Sequence, residues 1–270
     1  MKSNFFTMLS SDDFSKLIME KENLNMLVSL IPELKDLMDF EQNNPHHAYD
    51  AFMHTVHALE NCEIKNDATI NLALLLHDIG KPYSFQDGPD GIRHFIGHDK
   101  ASAEIAEKIL NRLDVDEQTK KNIVDLVQYH DTPIEPNKKN VNKWLNKIGE
   151  TQLERLIEIK KADIKGQKPD YEKSWIDSLD EVKPIIEEVI KENSRFTAKS
   201  LAVNGGDLIQ AGFKPGKELG EALQSLVDAV VDGKVKNEKE ELLNFAQYMQ
   251  KEINEIEEPN SDAPDIEDGR

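Results

Sequence analysis

Leu72-Ala73-Leu74-Leu75-Leu76-His77-Asp78-Ile79-Gly80-Lys81-Pro82 decides how this chain is read. With Asp67 as cap, a helix is predicted over Ala68 to His77. It is apolar on nearly every side and therefore central to a core. The run ends on an imidazole beside a carboxylate. A charge set against such apolar surroundings costs several kcal/mol unless it is paired or bound to a metal. Gly80 and Pro82 then stop the helix abruptly.

Outward from this segment, helical periodicity dominates. Leu24 to Phe40 places Leu24, Leu27, Val28, Ile31, Leu34, Leu37 and Met38 on one helix face. Further helices are predicted from His98 or Asp99 through Leu113, over Ile123 to Tyr129 before Pro133, and from Leu153 into Ala162-Asp163. The stretch Gly80 to Gly97 is a glycine- and proline-rich loop of a length that is often functional. A long charged helix over Tyr171 to Asn193 precedes a change of character. There Asn204-Gly205-Gly206-Asp207 starts a short helix ended by Gly212, Pro215 begins another that closes at Gly233, and Asn237 with Glu240 caps the last. The chain reads as all-α, with a separate small C-terminal helical unit.

The 270 residues suffice for one large domain or two small ones, and carry a formal net charge of -19. Such a surface repels a phosphate backbone, so extended nucleic-acid binding is disfavoured. The best local basic patch, Lys138 to Trp144, reads as a solvated helix face with Trp144 inward, and Trp175 also reads as core. No apolar run is long enough to span a membrane, and Ser10-Ser11-Asp12-Asp13 interrupts the start too soon for a signal peptide. The single cysteine, Cys62, excludes an internal disulfide and fits a reducing, cytoplasmic setting. Residues 251–270 form an acidic tail expected to be disordered.

Other ligand-type residues are scattered through the central helices: His54, His98, His130 and Asp163. Imidazole with carboxylate and no thiolate suits one or two divalent ions (Mn, Fe, Co, Ni, Zn or Mg) rather than a structural zinc cage. A bound ion acidifies a water into a nucleophile at neutral pH, and a second about 3.5–4 Å away holds a phosphate oxygen.

The order His54, His77-Asp78, Asp163 resembles the HD superfamily of metal-dependent phosphohydrolases. The segments 44–56, 74–82, 95–98 and 161–163 are similar to the HD domain attached to bacterial CCA-adding tRNA nucleotidyltransferases. The run Val203 to Gly216, continuing to Leu243, resembles the tail helices of the same enzymes. The likeness covers roughly residues 44–250. It implies an HD-domain helical bundle in which His54, His77, Asp78 and Asp163 hold a metal, with Asp78 able to bridge two. His98 and His130 would hold a second ion or contact phosphate, and Asp131 competes with His130 for that role. Lys81 would set its ammonium over the substrate phosphate, with Arg93 and His94 reaching phosphate or ribose. His57 is expected to pack or to support a ligand, and His46 and His47 to sit in solvent at a helix entrance.

Those enzymes begin with a nucleotidyltransferase head bearing a Gly-Ser motif and paired aspartates. Nothing of that kind precedes residue 44, and Asp114-Val115-Asp116 lies between helices. The expectation is therefore a hydrolytic module acting on a small phosphate ester of a nucleotide, a 2′,3′-cyclic nucleotide or a nucleoside monophosphate. The alternatives are a non-catalytic tRNA- or RNA-binding module and one subunit of a split nucleotidyltransferase. The domains expected are N-terminal helices (1–43), the HD domain (44–170), the tail-like helices (171–250) and the acidic tail (251–270).

Overall fold

The computed structural model describes residues 2–168, 173–193 and 198–257, with side chains up to Lys251. Among these residues the fold is all-α apart from one antiparallel hairpin that pairs Gln86 with His94 and Asp87 with Arg93. The chain divides into two compact units, Met1–Pro184 and Ile185–Arg270.

The first unit starts with α1 (Lys2–Leu9), α2 (Phe14–Leu17) and α3 (Lys21–Leu30). The helix expected over Leu24 to Phe40 ends at Leu30 instead, followed by a 3₁₀ turn over Pro32–Asp36. Pro32 is the reason: it pushes Ile31 out of the helical region, to φ -129° and ψ 74°. Leu27, Ile31, Leu34 and Leu37 are nevertheless all buried, so the inward face survives the break.

Next come α4 (Ala51–Asn61), capped by Asp50 on the Met53 N–H, and α5 (Ala68–Leu76), capped by Asp67 on the N–H groups of Thr69 and Ile70. Ile70 to Leu76 are all buried, as a helix apolar on every side requires. The Gly80–Gly97 stretch is ordered into α6 (Lys81–Ser84), β1 (Gln86–Asp87) and β2 (Arg93–His94). Then follow α7 (His98–Leu113), α8 (Glu117–Tyr129), α9 (Lys138–Ile148) and α10 (Glu150–Gln167). Helices α10 and α4 pack together more extensively than any other described pair.

The helix expected over Tyr171 to Asn193 is two helices, α11 (Lys173–Asp180) and α12 (Val182–Asn193), and Tyr171 itself lies outside the described residues. A proline ring clashes with the carbonyl four residues earlier, and Pro184 lies four residues after Asp180, where α11 ends. Trp144 is buried as expected. Trp175 is not core: it is 45% exposed.

In the second unit, α13 (Gly205–Gln210) opens on a reciprocal capping box between Asn204 and Asp207. It is followed by α14 (Lys217–Val231) and α15 (Lys239–Glu257). Leu208, Leu226, Leu242 and Ala246 form the centre of its apolar core. Asn237 does not cap α15. Its side chain donates to the Ser200 carbonyl and accepts from the Ala202 N–H, tying the α14–α15 connection to the segment before α13. Helix α15 runs to Glu257, and the acidic stretch beyond it lies outside the described residues. Among the described residues no helix is long and apolar enough to cross a membrane.

Candidate metal centre

Three of the site's histidines stand at helix ends. His77 closes α5, His130 closes α8, and His98 begins α7 after Gly97, whose φ of 79° makes the turn. Each donates its Nδ1–H to the carbonyl three residues earlier: His77 to Leu74 at 2.6 Å, His98 to Phe95 at 2.8 Å, His130 to Val127 at 2.6 Å. A carbonyl can only accept, so these bonds assign the proton to Nδ1 and leave Nε2 bare in the neutral ring.

His54 and Asp163 come from the α4–α10 crossing. Ala58 lies one turn beyond His54, and Gly166 nearly one turn beyond Asp163. A Cβ on Gly166 would sit 2.7 Å from the Ala58 backbone nitrogen, so the helices can meet this closely only at glycine. The approach brings His54 Nε2 to 2.9 Å from Asp163 Oδ1. Gly166→Ala is expected to cost about 1–3 kcal/mol through overpacking and to weaken divalent-metal binding. Thermal melting with a metal titration reads both, and an unchanged melt and affinity would contradict the close crossing.

The structure brings His54, His77, Asp78, His98, His130 and Asp163 into two adjoining triads. His54, His77 and Asp163 form one; Asp78, His98 and His130 form the other, and within each the ligand atoms lie within 4.8 Å of one another. Asp78 faces both. Its Oδ2 is 3.2 Å from His54 Nε2 and 3.2 Å from His77 Nε2, while its Oδ1 is 3.4 Å from His98 Nε2 and 3.7 Å from His130 Nε2.

The donor set fits a divalent cation. His98 and His130 point their Nε2 atoms at each other across 3.1 Å, and His54 and His77 do so across 3.2 Å. The bare nitrogens of His98 and His130 at that separation repel unless a proton or a cation lies between them, whereas His54, its Nδ1 without a partner, is placed to donate Nε2–H to Asp163 when no metal is bound. Ligands held about 2.0–2.2 Å from one ion stand at about this spacing. Asp78 Oδ2 is buried without an aligned hydrogen bond, despite Lys81 Nζ at 2.6 Å.

The charges show the same demand. Burial alone would push His77 down, but Asp78 and Asp163 beside it outweigh burial and raise it to about 10. They also raise His54, against burial, and Asp78 raises His98. His130, buried and next to His77, falls to about 3. Burial opposes ionisation of Asp78 and Asp163, yet the surrounding imidazoles, with Lys81 at Asp78, hold both carboxyls well below the ordinary range.

A cavity of about 380 Å³ opens onto Asp78, His98, His130 and Asp163, while His54 and His77 lie behind it. Lys81 borders this cavity, although its ammonium is already engaged by Asp78 and by Gln42 Oε1 at 2.8 Å. His94 also borders it. Arg93 does not: its guanidinium grips Asp87 and the Glu41 carbonyl and lies over the Phe85 ring. His46, exposed as expected, and His47, half-buried instead, both line the cavity, as do Asp131 and Trp175. His47 packs edge-on against His54, and burial with nearby Lys81 lowers it to about 2. His57 stands apart, bonded to Glu60 at 2.9 Å and packed on Tyr49.

The site residues the sequence reading passed over are structural in kind. Gly166 resembles any helical glycine until its helix is seen against Ala58. Lys160 is half-buried, and its Nζ donates to the His130 carbonyl at 2.6 Å.

A family model, tRNA nucleotidyltransferase domain 2, matches residues 84–246. That span includes His98, His130 and Asp163 and begins after His54, His77 and Asp78. The chain is 28% identical over 245 residues to an A-adding tRNA nucleotidyltransferase of Deinococcus radiodurans, covering 87% of this chain and 55% of the relative. It is 28% identical over 233 residues to a CC-adding tRNA nucleotidyltransferase of Thermus thermophilus, covering 84% and 51%. A shorter stretch of 46 residues is 52% identical to a CCA-adding enzyme of Limosilactobacillus fermentum, covering 17% and 12%. The chain thus spans about half the length of the first two relatives.

Proposed function

The chain belongs to the tRNA nucleotidyltransferase domain 2 family, and on the geometry of its site we propose that it is an HD-type, metal-dependent phosphohydrolase acting on a phosphate ester of a nucleotide. The observation that carries this reading is the pair of His/Asp triads joined by Asp78 at the floor of an open cavity. One or two divalent ions held there supply an acidified water and positive charge for a phosphate oxygen.

The chain's own residues do the rest. The backbone carbonyls of Leu74, Phe95 and Val127 fix the ring orientation of His77, His98 and His130, as outer-shell partners of metal ligands do. Gln42 and Asp78 hold the Lys81 ammonium at the cavity edge, where it adds positive charge without a large side-chain rearrangement. Asp78 keeps both triads anionic enough to retain a cation. The single buried Cys62 suits a cytoplasmic setting.

The names of the relatives favour a second reading, in which this is a tRNA-binding module or one subunit of a split nucleotidyltransferase. A net charge of -19 weighs against a broad RNA-binding face. Convergence of the whole ligand set is likewise more than a scaffold requires.

The deciding experiment offers nucleoside monophosphates and 2′,3′-cyclic nucleotides to the purified chain with Mn, Co, Ni or Mg, and tests tRNA binding by mobility shift in parallel. Metal-dependent phosphate or monoester release is expected. Salt-sensitive tRNA binding without turnover on any substrate would overturn the hydrolase reading in favour of the second.

A further inference from the structure

A second cavity, also of about 380 Å³, adjoins the first and shares His130, Asp131, Asp163, Gln167 and Trp175 with it. The two have different characters. The first ends on the imidazole and carboxylate floor, whereas the second is walled by Pro133, Ile134, Ile164 and Leu179.

Trp175 stands at their junction. It lies on α11, with Ser178 and Leu179 on the same helix face and also in the second cavity. Large apolar side chains on a soluble surface are unremarkable singly. This one is 45% exposed while bordering both cavities, and the exposed His46 ring lies 6.1 Å away at 36°. Across the first cavity, Ile96 is 79% exposed. A polar, cation-holding floor therefore opens beneath an aromatic and aliphatic rim.

We propose that Trp175 is a base-stacking platform, so that the substrate is an ester bearing a nucleobase: its phosphate lies over the His/Asp floor and its base stacks on Trp175 toward the apolar second cavity. This rests on the hydrolase reading and narrows it. Aromatic rings accept any base through its π-face, so the platform selects for the presence of a base more than for its identity. Ser178, one turn from Trp175, offers a hydroxyl to base or ribose. A free nucleotide and the terminal nucleotide of an RNA present the same chemistry to this surface.

The test compares AMP with ribose 5-phosphate, which lacks the base, in the wild-type chain, Trp175→Ala and Trp175→Phe. In the alanine variant the kcat/KM ratio of AMP to ribose 5-phosphate is expected to fall on the order of tenfold to a hundredfold, the range stacking usually contributes. The loss should fall mainly in KM, and phenylalanine should restore most of it. A ratio that stays within about twofold in Trp175→Ala overturns the proposal.

If the wild-type chain hydrolyses neither ester, the hydrolase reading is judged by the wider panel of nucleoside monophosphates and cyclic nucleotides, and the platform by binding. AMP, or tRNA carrying the same terminal nucleotide, is then titrated against tryptophan fluorescence. Saturable quenching by either source that is lost in Trp175→Phe supports stacking, since Trp144 is buried. Absence of quenching by both overturns it.

Discussion

Replacing His77 and Asp78 together by alanine is expected, on the proposed hydrolase reading, to remove bound metal and abolish phosphate release. The expected loss exceeds the roughly 10–100-fold that outer-shell partners of metal ligands usually cost. The geometry explains why this pair has so large an effect. His77 belongs to one triad and Asp78 to the other, and the two oxygens of Asp78 face opposite triads. The double substitution therefore dismantles both. His98→Ala alone should leave the His54–His77–Asp163 set able to bind one ion. Removing Asp78 also strands the buried Lys81 ammonium, and breaking a buried pair in that way costs about 3–5 kcal/mol. Asp78→Asn keeps the shape and the Lys81 contact, so it separates loss of ligand from loss of fold. Elemental analysis, circular dichroism and turnover on the same samples check the set. Wild-type turnover in the double variant would place the chemistry elsewhere.

Metal should also stabilise the chain in a pH-dependent way. Saturation at a thousand times the dissociation constant contributes about 4 kcal/mol, which for a unit of this size raises the melting temperature on the order of 10 °C. The sign follows from His77, raised from 6.5 to about 10 by Asp78 and Asp163 against its burial. Without metal, this protonated imidazole stabilises the fold fully below its unfolded value of 6.5, and the contribution is lost as pH rises through 10. The carboxyls of Asp78 and Asp163 act oppositely: their contribution is present above 3.8 and disappears as pH falls through their lowered values. On this reading a bound divalent ion would replace the His77 proton. The metal-loaded chain should therefore not lose stability between pH 6.5 and 10, whereas the metal-free chain should. Binding near neutral pH should also release protons, measurable as a buffer-dependent calorimetric enthalpy. Parallel pH profiles for the two forms would contradict this exchange.

Much of this arrangement was legible before the fold was known, because the relevant signals are local. An all-apolar helix capped by Asp67 announces a central position, and the His77-Asp78 doublet at its end needs compensation within reach. The boundaries of α5, α8 and α10 follow from periodicity, caps and breakers in the same way. Where the reading failed, a non-local or competing term decided. Pro32 and Pro184 each broke a periodic run whose hydrophobic spacing continued past them. Asn237 had the spacing of a cap, but the carbonyl of Ser200 and the N–H of Ala202 offered it better partners. Trp175 was assigned to the core by its apolarity alone, and nothing in its neighbours revealed that it faces two cavities. Arg93 stands beside the site in sequence, yet Asp87 and Phe85 hold its guanidinium away from the cavity lining. His46 is exposed, as expected, with its ring neighbour Trp175 coming from a distant helix, whereas His47 is half-buried against His54, seven residues further on.

The most direct test of the metal centre is its stoichiometry. The chain is purified without chelator, dialysed against Mn, Co, Ni or Zn, and analysed for metal per chain beside Asp78→Asn. The two His/Asp triads joined by Asp78 predict one or two equivalents in the wild-type chain and a clear loss in the variant. A folded wild-type chain that retains no divalent metal under any of these conditions would contradict the account.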